Sequence, residues 1–269
     1  MIVDTPELIA CDVDGTLLFD YAPALPESTV EVIGQLIDRG IAFVPASGRT
    51  YGSLCRLFAP LADKLIASPT NMACVAENGT IAYRGGDVVF RSTMERALGE
   101  TIIRRMLDTD ECEAMVSGAH TSYVQPKDPA FPTFLRDVVG FDVTVVDDLT
   151  AIDEPFTKIS AFYPSYEVDE QRWADWFGDR CAVATGGYGW VDMMPKDTSK
   201  AVALAALLEL LDVDPAHVMA LGDAGNDCEM LRFVGCSVAM ETGDSRVKAV
   251  ADRTAPNAEQ EFRRLLACW

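Results

Sequence analysis

The chain reads as an α/β protein built on a parallel sheet, with an α+β segment inserted into it. Three observations predict this. Short continuous apolar runs alternate with helix-period stretches over roughly the first eighty residues. The alternation lapses near Tyr83 and returns after Asp197. Two of the apolar runs end in glycine-containing acidic turns, as strands do where a parallel sheet opens at its carboxyl end.

Leu8-Ile9-Ala10-Cys11 is apolar without a break, the pattern of a strand covered on both faces. Val30, Ile33, Leu36 and Ile37 then recur at helical spacing, and Gly40 closes that helix. Ile41-Ala42-Phe43-Val44 is a second buried run. Ser47-Gly48-Arg49 is expected to open the next helix, through Leu54 and Phe58. Leu65-Ile66-Ala67 and Cys74-Val75-Ala76 continue the series of short apolar runs. From Tyr83 to about Thr185 the texture changes. Ile102, Ile103, Met106 and Leu107 mark one amphipathic helix, and Trp173, Trp176 and Phe177 mark another. Lys158–Tyr163, Ala182–Thr185 and Trp190–Met194 are strand candidates between them. After Asp197 the sequence predicts a helix over Ala201–Leu211, a strand His217–Leu221 and a helix Asp227–Phe233. A strand Cys236–Ala239 and a closing helix Glu259–Leu266 follow. This divides the chain into a core of residues 1–82 and 186–269 and an inserted domain of residues 83–185.

Composition narrows the function. With 49% apolar and 24% charged residues the chain is neither disordered nor fibrous. Its 22 lysines and arginines face 42 aspartates and glutamates, a net charge of −20 that argues against nucleic acid and anionic lipid as partners. The 8 cysteines form no Cys-x-x-Cys, so they read as reduced thiols of a cytoplasmic protein, with no signal-peptide pattern at Met1–Thr5. No apolar stretch is long enough to span a membrane. Only 2 histidines, His120 and His217, are present, so a histidine-based metal site or triad has little to draw on.

The strongest chemical signal is Asp12-Val13-Asp14-Gly15-Thr16 at the end of the first apolar run. Strand periodicity predicts that Asp12 and Asp14 share one side. Leu221-Gly222-Asp223-Ala224-Gly225-Asn226-Asp227 follows another apolar run and adds two carboxylates and an amide. Were the two strands neighbours, four carboxylates would converge. Two like charges at about 4 Å repel by roughly 4 kcal/mol at an effective dielectric near 20, so such a cluster calls for a cation. An all-oxygen donor set selects a hard ion such as Mg2+. Taken singly, these aspartates are also ordinary helix caps and turn formers; their recurrence at two matching strand ends favours the metal. Ser47 and Gly48 offer a hydroxyl and backbone N–H groups to an anion. Lys200 opens a helix, where the dipole disfavours a cation, which points to an anionic partner; Lys196 competes for that role on spacing alone.

In this order the motifs resemble those of the haloacid dehalogenase superfamily of phosphatases, and its Cof-like subfamily in particular. Asp12–Thr16 is similar to the first motif, Ser47-Gly48-Arg49 to the second, Lys200 to the third and Gly222–Asp227 to the fourth. Glu77-Asn78-Gly79 is similar to the turn that precedes the family's cap domain. The C-terminal Asn257–Glu261 departs from the family in lacking an Asp-Gly-Val. The resemblance implies a Rossmann-like core with a C2-type cap over residues 83–185 that closes over the substrate and selects it. It implies a Mg2+-dependent phosphatase acting on small phosphorylated metabolites through an aspartyl phosphate. Asp12 is then the nucleophile and Asp14 the acid and base. Asp12, the backbone carbonyl of Asp14, Asp223 and Asp227 hold the ion. Ser47, Gly48, Lys200 and Asn226 bind phosphate, with Arg49 and Asn78 beside the substrate. Four carboxylates against Mg2+ and Lys200 leave one negative charge, so a proton is assigned to Asp14. A phosphomutase with the same first step, or a phosphometabolite sensor without turnover, are the alternatives.

Overall fold

The computed structural model describes residues 5–19, 22–187 and 189–268. The chain opens with β1 (Leu8–Cys11), α1 (Glu27–Asp38), β2 (Ala42–Pro45), α2 (Tyr51–Leu57) and α3 (Ala62–Ala67). Three strands follow, β3 (Cys74–Ala76), β4 (Ile81–Arg84) and β5 (Asp87–Arg91). Next come α4 (Arg96–Leu107), β6 (Glu113–Ser117), β7 (Ser122–Val124), α5 (Phe131–Phe134) and β8 (Val143–Val145). Then β9 (Lys158–Phe162), α6 (Glu170–Phe177), β10 (Ala182–Gly187) and β11 (Trp190–Met194). The chain ends with α7 (Lys200–Leu211), β12 (Val218–Gly222), α8 (Cys228–Phe233) and β13 (Cys236–Met240), then α9 (Ser245–Lys248), β14 (Arg253–Ala255) and α10 (Ala258–Ala267). Leu65-Ile66-Ala67 is the last turn of α3 rather than a strand, because only Leu65 of the three is buried.

Two compact units result. The first comprises Met1–Arg49, Leu54–Phe90 and Ser199–Trp269; the second comprises Thr50–Ser53 and Arg91–Thr198. The division therefore falls at Arg91 and Thr198 and not at the sequence-based positions 83 and 185. The physical reason is strand pairing. Tyr83 lies in β4, opposite Cys74 of β3, whereas Trp190–Met194 pairs with β9 in the second unit's sheet.

In the first unit a five-stranded sheet runs β14-β13-β12-β1-β2, parallel throughout. β1, β2, β12 and β13 are buried along their whole length, which is why they read as largely apolar runs. Period two sends Leu8 and Ala10 of β1 to one face, where they meet Leu204, Leu207, Met230 and Leu231 of α7 and α8. On β2, Phe43 meets Phe58 and Phe262 with ring centroids 6.0 Å apart in each pair. The C-terminal segment that lacks the family's Asp-Gly-Val is held otherwise. Asn257 caps α10, and Glu259 accepts hydrogen bonds from Ser28 and Thr29 at the start of α1. The register is what matters for function: Cys11, last in β1, lies opposite Leu221 of β12 and Pro45 of β2. The three segments that leave these strands carry the three acidic, serine and glycine motifs.

The second unit is a six-stranded sheet in the order β10-β11-β9-β6-β7-β8. On one face Ile159, Ala161, Val191 and Met193 form a core with Ile102, Ile103 and Met106 of α4 and Trp173 and Phe177 of α6. On the other, Phe162 stacks on Phe131 at 5.5 Å and on Phe134 at 5.1 Å. These aromatic side chains are the unit's own core.

Candidate active site

β1 ends at Cys11, and Asp12 continues it by donating its N–H to the Leu221 carbonyl at 3.0 Å. Beyond Asp12 the strand geometry stops. The N–H groups of Thr16, Leu17 and Leu18 all turn back to the Val13 carbonyl, and Gly15 takes φ +92°. A Cβ on Gly15 would lie 2.2 Å from Asp223 Oδ2, so the turn approaches the fourth motif closely. Strand periodicity therefore does not govern Asp14. The expectation of four convergent carboxylates is corrected to three: Asp12, Asp223 and Asp227 each present an oxygen within 4.8 Å of the others. The Asp14 carboxylate lies outside that group and is held by Arg49, which donates Nε to Oδ2 at 2.8 Å and Nη2 to Oδ1 at 2.7 Å. Arg49 supplies a positive charge that the sequence-based count did not include.

Lys200 stands at the first position of α7, behind Ser199, whose side chain accepts from the Val202 N–H. Its Nζ reaches Asp12 Oδ1 at 2.5 Å and Asp227 Oδ1 at 2.7 Å, and the whole side chain is 0% exposed. Burial alone would favour a neutral amine; the carboxylates of Asp12 and Asp227 outweigh it and push the lysine above its ordinary range. Lys196, the competitor, is exposed. The contest that spacing left open is settled in favour of Lys200 as the cation of the cluster. Asp227 is also fully buried, and its Oδ2 accepts the N–H groups of Asp223 and Ala224 at 3.0 and 3.1 Å. Asp223 receives the Thr16 hydroxyl at 3.2 Å. Burial drives the Asp12 and Asp223 carboxyls upward; Lys200 pulls against that on both, and the neighbouring Asp227 adds to the rise.

The donor set fits a divalent ion. All three side chains offer oxygen, and Asp12 Oδ2 is buried with no hydrogen-bond partner among the described residues. A lone buried carboxylate oxygen is costly, and a hard cation is the group that removes the cost.

The second motif is arranged differently from its sequence-based reading. α2 begins at Tyr51, so Ser47 is not its cap; Thr50 Oγ1 takes the Ser53 N–H instead. Ser47 is buried, and its hydroxyl oxygen accepts the Arg49 N–H at 3.2 Å. Gly48 follows it without a side chain. The Ser47 and Arg49 carbonyls accept from the N–H groups of Asn78 and Glu77, both at 3.0 Å. Asn226 is exposed and donates its amide to Asn78 Oδ1 at 3.1 Å.

Three consecutive positive φ angles, at Glu77 (51°), Asn78 (59°) and Gly79 (91°), were not anticipated beyond the Asn-Gly turn signal. They press this turn against the start of α7: a Cβ on Gly79 would sit 2.2 Å from the Ser199 carbonyl oxygen. Gly79→Ala is accordingly expected to cost about 2–4 kcal/mol and lower Tm by roughly 5–10 °C. Gly40→Ala, at φ 87° with nothing within 4 Å of the added Cβ, bears the conformational strain alone and serves as the control. Equal losses in the two variants, measured by calorimetry, would show that Ser199 gives way freely.

With this geometry in hand, comparison with known proteins assigns the class. The sequence profile of the haloacid dehalogenase-like hydrolases matches residues 9–261, and the chain belongs to that family; within it, this enzyme is a phosphoric monoester hydrolase. Among its relatives is the 5-amino-6-(5-phospho-D-ribitylamino)uracil phosphatase YbjI of Escherichia coli, 30% identical over 95% of this chain and 92% of that one. The Bacillus subtilis phosphatase YitU, named for the same substrate, is 26% identical over 95% of this chain and 94% of its own. The solved structure of the subclass IIB sugar phosphatase BT4131 superposes with a TM-score of 0.80 at 18% identity, covering 97% of this chain and 99% of that one, a likeness of fold. Among the described residues no helix is long and apolar enough to cross a membrane.

Proposed function

We propose that this phosphatase hydrolyses small phosphorylated metabolites, sugar phosphates or related phosphomonoesters, through an aspartyl phosphate on Asp12, with Mg2+ as cofactor. One observation carries the reading: Lys200 anchors Asp12 Oδ1 while Oδ2 of the same carboxylate is buried and unclaimed among the described residues. That is a carboxylate fixed at one oxygen and open at the other to the cation that a carboxylate nucleophile needs for its activation. Asp12 and Asp223 would hold the ion with the Asp14 backbone carbonyl. Asp227, both of whose oxygens are engaged, would join through water. When bound, Mg2+ neutralises the carboxylates and the incoming phosphoryl group.

Asp12 attacks phosphorus, and its new P–O bond forms as the ester P–O bond breaks. Asp14 gives the departing oxygen a proton, then takes one from the water that releases phosphate from Asp12. Ser47, the Gly48 N–H, Lys200 and Asn226 stabilise the phosphoryl oxygens, and Asn78 orients Asn226. The second unit is assigned substrate selection. The substrate for which YbjI and YitU are named makes a phosphoribityl compound the first metabolite to assay. The 8 cysteines, all free thiols, suit a reducing cytoplasm.

The test is phosphate release from p-nitrophenyl phosphate and from a panel of sugar and polyol phosphates, with Mg2+ and with EDTA. Release that requires Mg2+ is expected, together with a rise in Tm of several degrees at saturating Mg2+, since about 2.7 kcal/mol accrues at a hundredfold excess over Kd. Undiminished turnover in EDTA would overturn the metal. A sugar bisphosphate that accumulates without free phosphate would instead identify a mutase.

A further inference from the structure

Asp14 sits in a turn just past the end of β1 with 43% of its side chain exposed, a setting in which a lone carboxylate samples several rotamers. Among the described residues Arg49 supplies the hydrogen bonds to it, both oxygens at once. Arg49 is itself anchored at the backbone. Its N–H is tied to Ser47 Oγ, its carbonyl to the Glu77 N–H, and Ser47 N–H in turn to the Val75 carbonyl at 2.9 Å. A planar guanidinium engaged at two points dictates direction as well as distance, which an ammonium does not.

We propose that Arg49 is the positioning residue for Asp14, transmitting the rigid geometry of the β2–β3 connection to the acid and base of the reaction. This rests on the phosphatase reading above. Each Asp14 oxygen keeps a second lone pair while Arg49 occupies the first, so a proton can be carried there without breaking the pair. The same oxygen must protonate the departing alkoxide as the ester P–O bond gives up its electrons. It must then accept the proton of the attacking water, so one fixed orientation serves both halves. The hydrogen bond to Asp14 raises the guanidinium above its ordinary range, which keeps it charged throughout.

Leaving-group dependence separates this role from others. A p-nitrophenolate departs without a proton, whereas an alkoxide needs one, and kcat/KM reports steps only through departure of the leaving group. Arg49→Lys is therefore expected to lower kcat/KM about a hundredfold for the best alkyl phosphate of the panel, and less than about fivefold for p-nitrophenyl phosphate. Arg49→Lys combined with Asp14→Asn should lose no more than Asp14→Asn alone, because Arg49 acts through Asp14. Arg49→Ala should recover alkyl phosphate turnover when ethylguanidinium is added. Equal losses for both substrates would mean that Arg49 binds phosphate, and additive losses in the double variant would mean that it acts independently; either overturns the inference. A wild-type protein that releases phosphate from neither substrate would instead overturn the phosphatase reading.

Discussion

Asp12→Asn is expected to reduce turnover by at least about four orders of magnitude while leaving the fold intact. An amide cannot form the acyl phosphate, and variants that lose a nucleophile typically retain only what binding and electrostatics supply. The fold survives for a specific reason. Burial pushes the Asp12 carboxyl well above the usual carboxylate range despite the attraction of Lys200, so its ionised form is a burden on the native state without the ion. A neutral isostere removes that burden, and Lys200 keeps Asp227 at 2.7 Å as its counter-charge. Tm without Mg2+ should therefore stay level or rise, and the increase that Mg2+ confers on the wild type should shrink. Turnover above one part in a hundred of wild type would mean that another group attacks phosphorus; a collapse of Tm would mean that Asp12 is chiefly structural.

Lys200→Met carries the second large effect, and it strikes stability and activity together. The thioether replaces most of the stem, so the loss isolates the charge. Two buried carboxylates, those of Asp12 and Asp227, are left without their cation. Breaking a buried pair in this way costs about 3–5 kcal/mol, a fall in Tm of roughly 10 °C. If Lys200 donates to the phosphoryl oxygens as proposed, its loss should lower kcat by a further two to three orders of magnitude. Because an added ion replaces part of the missing charge, Mg2+ should restore more Tm to this variant than it gives the wild type. Lys196→Ala, which alters an exposed side chain, should shift stability by less than about 0.5 kcal/mol and leave kcat alone. Equal kinetic damage from the two substitutions would remove Lys200 from the site.

What could be read along the chain is what depends on near neighbours. Leu8–Cys11 and Val218–Gly222 are recognisable as strands because each is buried on both faces. Asp12, Asp223 and Asp227 are recognisable as a candidate metal site because they follow such strands, and a lysine at the dipole-disfavoured start of α7 asks for an anion. The expectation for Asp14 failed through an equally local event. Strand periodicity was extended past Cys11 into a turn whose hydrogen bonds return to Val13 and which therefore has no period of two. Ser47-Gly48-Arg49 reads along the chain as the opening of a helix, yet that helix starts at Tyr51, four residues after Ser47.

The sequence by itself determined the class of fold, a carboxylate cluster counted as four with Asp14 included, the cation at Lys200 as one of two choices, and the glycine turns that bring backbone close. Tertiary structure alone decided which of these groups meet. Placing β1 between β12 and β2 sets Asp12 beside Asp223, selects Lys200 over Lys196, and carries Arg49 across thirty-five positions of chain to Asp14. It also assigned Trp190–Met194 to the second unit's sheet, by pairing with a strand about thirty residues earlier. The reason is physical: apolar periodicity and turn chemistry are fixed by residues a few places apart. Ion pairs and strand partners are fixed by distances in space, and these exist only once the whole core has closed.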